Sequence, residues 1–140
     1  KSCNAHYAAK GGSMNDDNQP SKDYFGCFGK NAAEALALLM PVVDVALKAH
    51  ETGDYQAFRN VMTDSLAARI TPEGFKNAYE AIAPQLGVLI SKRLVAAVNR
   101  AGNPRLLFVA RYTNTSDDIV INITFTSNAE GPLINEMWIE

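Results

Sequence analysis

His50 is the one histidine that lies beyond the first thirty residues, so any Ser-His-Asp arrangement in this chain has to recruit it. It falls near the end of a long helical pattern, where the helix dipole favours a cation, and a capping role as a charged imidazole is expected. A general base needs an ionisable group poised in a partly buried site. Asp44, Asp64 and the hydroxyls of Tyr55, Tyr79 and Tyr112 are the residues of suitable type. No spacing pairs them, and both aspartates sit where helix acids ordinarily face solvent. There is no Gly-rich phosphate loop, no G-x-S-x-G elbow, no H-E-x-x-H and no C-x-x-C. No catalytic residue is therefore assigned.

Cys3, His6, Cys27 and His50 are of metal-ligating type, and Cys3-Asn4-Ala5-His6 has a short metal-like spacing. One such spacing does not make a zinc site, and neither metal nor cofactor is expected. Cys3 and Cys27 either bond to each other or remain thiols, according to the redox compartment. Between Lys92 and Arg111 stand five basic residues, Lys92, Arg93, Arg100, Arg105 and Arg111, and no acid. Pairing with later acids (Asp117, Asp118, Glu130, Glu136 and Glu140) across a sheet is the expected use of that stripe. Arg111, Asn122 and Glu136 are candidates to share one face. A net charge of −2 argues against a nucleic-acid or anionic-membrane binder. No apolar run approaches the roughly 18 residues that span a bilayer.

The elements that would position these groups read in order. Residues 1–30 form a polar leader or tag. Gly11-Gly12-Ser13-Met14 resembles a junction, and only Tyr24, Phe25 and Phe28 are suited to dock on the body. A start at Met14 would imply a cytoplasmic protein, and a removed signal peptide an exported one. Residues 31–140 form the single domain. Asn31 caps a long first helix with Glu34 at the capping-box position. Its stripe Leu36, Leu39, Met40, Val43, Leu47 and its second stripe Leu38, Val42, Val45, Ala49 predict burial on two sides, with a bend at Pro41. Gly53 ends that helix and Asp54 begins a short second one, on which Phe58, Val61, Met62 and Leu66 share a face. Thr71-Pro72-Glu73 starts a third that closes at Pro84 and Gly87.

From Val88 the period changes to two. Strands are expected from Val88 to Val98, Leu106 to Thr113, Asp118 to Thr126 and Leu133 to Glu140, with a turn over Ala101-Gly102-Asn103-Pro104. The third is the clearest: Ile119, Ile121, Ile123 and Phe125 share one face, and Val120, Asn122, Thr124 and Thr126 the other. Short connections imply an antiparallel meander, so the class is α+β, with three N-terminal helices packed on a four-stranded antiparallel sheet.

Gly53-Asp54-Tyr55-Gln56-Ala57-Phe58, then Thr71-Pro72-Glu73-Gly74-Phe75, then the closing Met137-Trp138-Ile139 resemble small bacterial NTF2-like (cystatin-like) families of unknown function. The likeness covers about residues 31–140 and rests on caps and core positions, which bear on fold rather than activity. It implies a curved sheet wrapped around the helices as a cone with a pocket, and a homodimer through the outer sheet face. Leu39, Val43, Phe58 and Tyr79 from the helices, with Phe108, Tyr112, Ile121, Ile123 and Phe125 from the strands, would then line the pocket. Its lining would be apolar and free of reactive pairs. Val120, Asn122, Thr124, Glu136 and Trp138 would form the dimer face.

Three functions follow as expectations. The first is a non-enzymatic domain that binds a small apolar ligand or a protein partner as a homodimer. The second is a pocket enzyme of the isomerase or dehydratase type using an Asp/Tyr pair. The third is an immunity or accessory interaction module, which a pocket filled by Phe108, Phe125 and Tyr79 would favour.

Overall fold

A computed structural model of the chain describes Phe28, residues 31–128 and residues 131–140. The leader residues Cys3, His6, Tyr24, Phe25 and Cys27 lie outside the described residues, and so do the zinc and disulfide readings that depend on them.

Among the described residues, helices precede a single antiparallel sheet. They are α1 (Ala32–Thr52), α2 (Tyr55–Arg59), α3 (Asp64–Arg69) and α4 (Pro72–Leu86), followed by β1 (Leu89–Arg100), β2 (Asn103–Tyr112), β3 (Ile119–Asn128) and β4 (Gly131–Ile139). The sheet order is β1-β2-β3-β4, a meander. The expected third helix is therefore the fourth. What was expected as one short second helix is two, because the chain breaks between Asn60 and Thr63 to pair with the sheet. Met62 forms a parallel bridge to Ile134, with Ile134 N–H donating to Val61 O at 2.8 Å and Thr63 N–H to Ile134 O at 2.9 Å. Thr63 then restarts the helix by accepting the Leu66 N–H at 3.0 Å.

The caps are local. Asn31 Oδ1 accepts the Glu34 N–H at 2.9 Å, Asp54 Oδ1 that of Ala57 at 3.1 Å, and Thr71 Oγ1 that of Gly74 at 3.1 Å. Each satisfies a backbone donor that the first helical turn leaves free. Pro41 lies within α1 on its exposed side. The helix is buried on one side rather than two. Leu39, Val43 and Ala46 are fully buried, whereas Leu38 and Val45 of the second stripe are exposed.

The strand alternation holds, with longer β2 and β3 than the turn residues suggest. Ala101 and Gly102 alone turn the β1–β2 hairpin, at φ 53° and 86°, and Pro104 is buried within β2. Leu106, Phe108, Ala110 and Tyr112 face inward beside Ile119, Ile121, Ile123 and Phe125. These pack on α1 together with Phe58, Met62, Leu66, Phe75 and Phe28 in one apolar core. Each large side chain withdrawn from water there contributes about 1.5–3 kcal/mol. Register shifts lie at Leu94/Ala96 in β1 and opposite Thr124/Phe125 in β4. Such bulges bend a strand and strengthen its twist.

Candidate functional site

A cavity of about 360 Å³ opens between α4 and the inner edge of the sheet. Ile70, Phe75, Ala78, Tyr79, Ile82 and Leu86 line it from the helical side, and Tyr112, Met137 and Ile139 from the strands. Helix α4 carries this wall without being buried by it: Phe75 is buried, but Ala78 and Ile82 are exposed. The spacing 75, 78, 79, 82, 86 is one helical face. That face meets the cavity instead of a packed neighbour.

Against the apolar wall stand His50, Glu51, Arg69 and Tyr112. The expected lining without reactive groups is thus corrected: an imidazole, a carboxylate and a phenol border the same hollow. Helix α1 ends beside it, so its last turn turns His50 and Glu51 toward the cavity.

The His50 ring packs edge-on against Phe58 at 4.6 Å between centroids and against Phe75 at 5.2 Å. Its Nδ1 is 2.8 Å from the Ala46 carbonyl oxygen. A carbonyl only accepts, so Nδ1 carries the hydrogen. Burial pushes the imidazole below the ordinary histidine range, and the bond to Ala46 pulls weakly the other way. The expected cationic cap is therefore a neutral imidazole. The Phe58 and Phe75 rings packed edge-on keep water from the imidazole, and that desolvation disfavours its charged form.

Glu51 Oε1 accepts the Leu89 N–H at 3.0 Å, joining the end of α1 to the start of β1, and Lys48 Nζ lies 3.4 Å from its Oε2. Tyr112 is held above the ordinary tyrosine range, by burial first and by the Glu51 carboxylate second. Its hydroxyl keeps its proton. Arg69 donates to the Asn135 carbonyl at 2.9 Å and tethers α3 to β4.

The sequence-based candidates divide clearly. Tyr79 and Tyr112 line the cavity. Leu39, Val43, Phe58, Phe108, Ile121, Ile123 and Phe125 are fully buried in the core beside it. Tyr55 bonds the Ile70 carbonyl at 2.9 Å and packs on Phe75. Asp64 projects into solvent and pairs with Arg59 at 2.6 Å, while Asp44 pairs with Lys92 at 2.8 Å, away from the cavity. Neither aspartate can join Tyr112 in an acid–base pair. His50 and Glu51 were the residues to suspect, through their place one turn before the Gly53 helix stop, but which side of a helix end faces a hollow is a tertiary matter.

On the outer sheet face, Arg105, Thr124 and Glu136 stand in one row. Arg105 donates to Thr124 Oγ1 at 2.6 Å and pairs with Glu136. Thr124 is only 4% exposed as a result. Arg105, rather than Arg111, is thus the basic member of the row that contains Glu136, and Arg111 lies 3.9 Å from Asp118. Asn122 pairs with Trp138 in the next row, and Val120 follows. Trp138 is 60% exposed, and Val98 and Val120 are also exposed.

Among the described residues no cluster of His, Cys, Asp and Glu is arranged to hold a metal ion, and no helix is long and apolar enough to cross a membrane. Comparison with protein families, with curated proteins and with solved structures finds no match.

Proposed function

We propose that this chain is a binding domain for a small, mostly apolar molecule, held in the cavity between α4 and the sheet. The supporting observation is the cavity itself: about 360 Å³, walled by Ile70, Phe75, Ile82, Leu86, Met137 and Ile139, with a few polar groups at one side. That combination of size, apolar wall and sparse polar groups suits small-molecule sites. Phe108 and Phe125 lie in the core and leave the hollow open, which favours a ligand over a pure interaction module. The NTF2-like cone, with its pocket between helices and sheet, is the fold reading in keeping with this position.

The neutral fluorescent probe N-phenyl-1-naphthylamine tests the proposal. Saturable fluorescence enhancement is expected, and Ala78→Trp, which places an indole in the cavity wall, abolishes it. Absence of saturable binding, or binding unchanged in Ala78→Trp, would refute the reading.

Two further elements belong to the proposal. Homodimerisation through the outer face is supported by Trp138 on β4, which is large, apolar and exposed, with Val120 exposed on the neighbouring β3. A pocket enzyme is the second reading, favoured by His50 and Tyr112 bordering one cavity. It would use an imidazole base in place of the Asp expected from sequence.

A further inference from the structure

We propose that the cavity selects an uncharged, apolar-bodied molecule bearing a hydroxyl group, whose proton is accepted by His50 Nε2. This deepens the binding reading above and rests on it.

The inference comes from the orientation of one ring. Nδ1 of His50 is committed as a donor to the Ala46 carbonyl at 2.8 Å. A neutral imidazole carries a single N–H, so Nε2 presents a bare lone pair. Among the described residues none donates a hydrogen bond to it. The ring cannot turn over to exchange its nitrogens without giving up the Ala46 bond. Its edge-on contacts with Phe58 (interplanar 65°) and Phe75 (67°) hold that orientation. His50 lines the cavity, and with Nδ1 committed to the Ala46 carbonyl of its own helix, Nε2 is the ring nitrogen left to pair with a molecule seated there.

The charged neighbours set the rest of the preference. The Glu51 carboxylate borders the cavity and disfavours an anion, an effect that its solvent-exposed partner Lys48, 3.4 Å away, reduces. Arg69 would oppose that effect, but its guanidinium is exposed and donates to the carbonyls of Asn135 (2.9 Å) and Ser65 (3.5 Å). Tyr112 and Tyr79 add neutral phenols, and a phenol can donate to the oxygen of the same hydroxyl. A hydroxyl both donates and accepts from one atom. An ether of the same shape only accepts, leaving Nε2 unpaired in a desolvated site.

Calorimetric titration with 2-naphthol, 2-methoxynaphthalene and 2-naphthoate at about pH 8, where an imidazole is neutral, tests this. The wild-type chain is expected to bind 2-naphthol at least about tenfold more tightly than its methyl ether, with 2-naphthoate weakest. In His50→Phe, which keeps an aromatic ring and loses the acceptor, the alcohol and ether become equal. Equal binding of the two neutral probes by the wild type would overturn the hydroxyl inference and leave the pocket reading standing. A preference that survives in His50→Phe, or 2-naphthoate as the tightest ligand, would also overturn it. Binding of neither neutral probe would sink both readings. Circular dichroism establishes that His50→Phe folds, and if it does not, the wild-type comparison of alcohol with ether decides alone.

Discussion

Gly87→Ala is expected to destabilise the domain by about 3–5 kcal/mol, because Gly87 joins α4 to β1 where no side chain fits. Its backbone sits at φ 79° and ψ −137°, a region that glycine alone occupies readily, at a cost of about 1–3 kcal/mol for other residues. A β-carbon there would lie 2.2 Å from Thr113 Oγ1 and 2.7 Å from Asn114 Cγ. Neither neighbour is free to retreat. Thr113 Oγ1 accepts the Val88 N–H at 2.9 Å, and Asn114 Nδ2 donates to the Pro84 carbonyl at 3.0 Å. Losing both bonds adds about 1 kcal/mol each. The sum is a large fraction of the 5–15 kcal/mol by which domains are ordinarily stable. Urea unfolding followed by far-ultraviolet circular dichroism should show the midpoint lowered by more than about 1 M with the slope unchanged. Gly131→Ala is the control. Its φ is 111°, but nothing lies within 4 Å of the added carbon, so only the backbone cost should appear. A loss below about 1 kcal/mol in Gly87→Ala, or equal losses in the two variants, would refute the steric reasoning.

The remaining predictions concern charge and the outer face. His50 is depressed below 6.5 in the folded chain, so the unfolded chain binds the proton first as pH falls. Its contribution to stability is complete above 6.5 and is lost as pH drops from there through the folded value; His50→Phe should flatten that slope in denaturant titrations. Tyr112 is raised above 10.0, so the unfolded chain loses its proton first and stability falls as pH rises past 10.0, a limb that Tyr112→Phe should remove. On the proposal that the outer face dimerises, Trp138→Ala should shift the protein toward monomer in sedimentation velocity, and an unchanged dimer or a wild-type monomer would contradict that proposal. Asp44→Asn breaks an exposed pair with Lys92, so it should cost at most about 1 kcal/mol and leave probe binding intact. Weakened binding in that variant would place Asp44 in the site after all.

Much of the fold was legible because its signals are local. Asn31, Asp54 and Thr71 cap the helices as their residue types require, and Ile119 to Phe125 alternate because one sheet face is buried. The split between α2 and α3 was not legible. It depends on Met62 and Val61 reaching Ile134, a partner about seventy residues on, which no local pattern carries. The two-sided apolar pattern of α1 misled for the opposite reason, since Leu38 and Val45 remain exposed. At the site, Tyr79 and Tyr112 were among the residues that the family resemblance put in a pocket, and both border the cavity. His50 was read as a charged cap at the helix end, and Glu51 beside it was assigned no role. Their role in the cavity follows from where α1 stops relative to α4 and β1, which the sequence leaves open. The basic stripe is paired with later acids only in part, Arg105 with Glu136 and Arg111 near Asp118, whereas Lys92 pairs with Asp44 of α1, and the register also differs: a bulge in β4 puts Glu136 opposite Thr124, in the row of Arg105.

The most direct test is a methyl-resolved nuclear magnetic resonance titration with N-phenyl-1-naphthylamine. Signals from Ile82, Met137 and Ile139, which line the cavity, should move saturably, while those of Ile121 and Ile123 in the core stay nearly still. No saturable movement, or movement confined to Val120 and the ring of Trp138 on the outer face, would contradict the account.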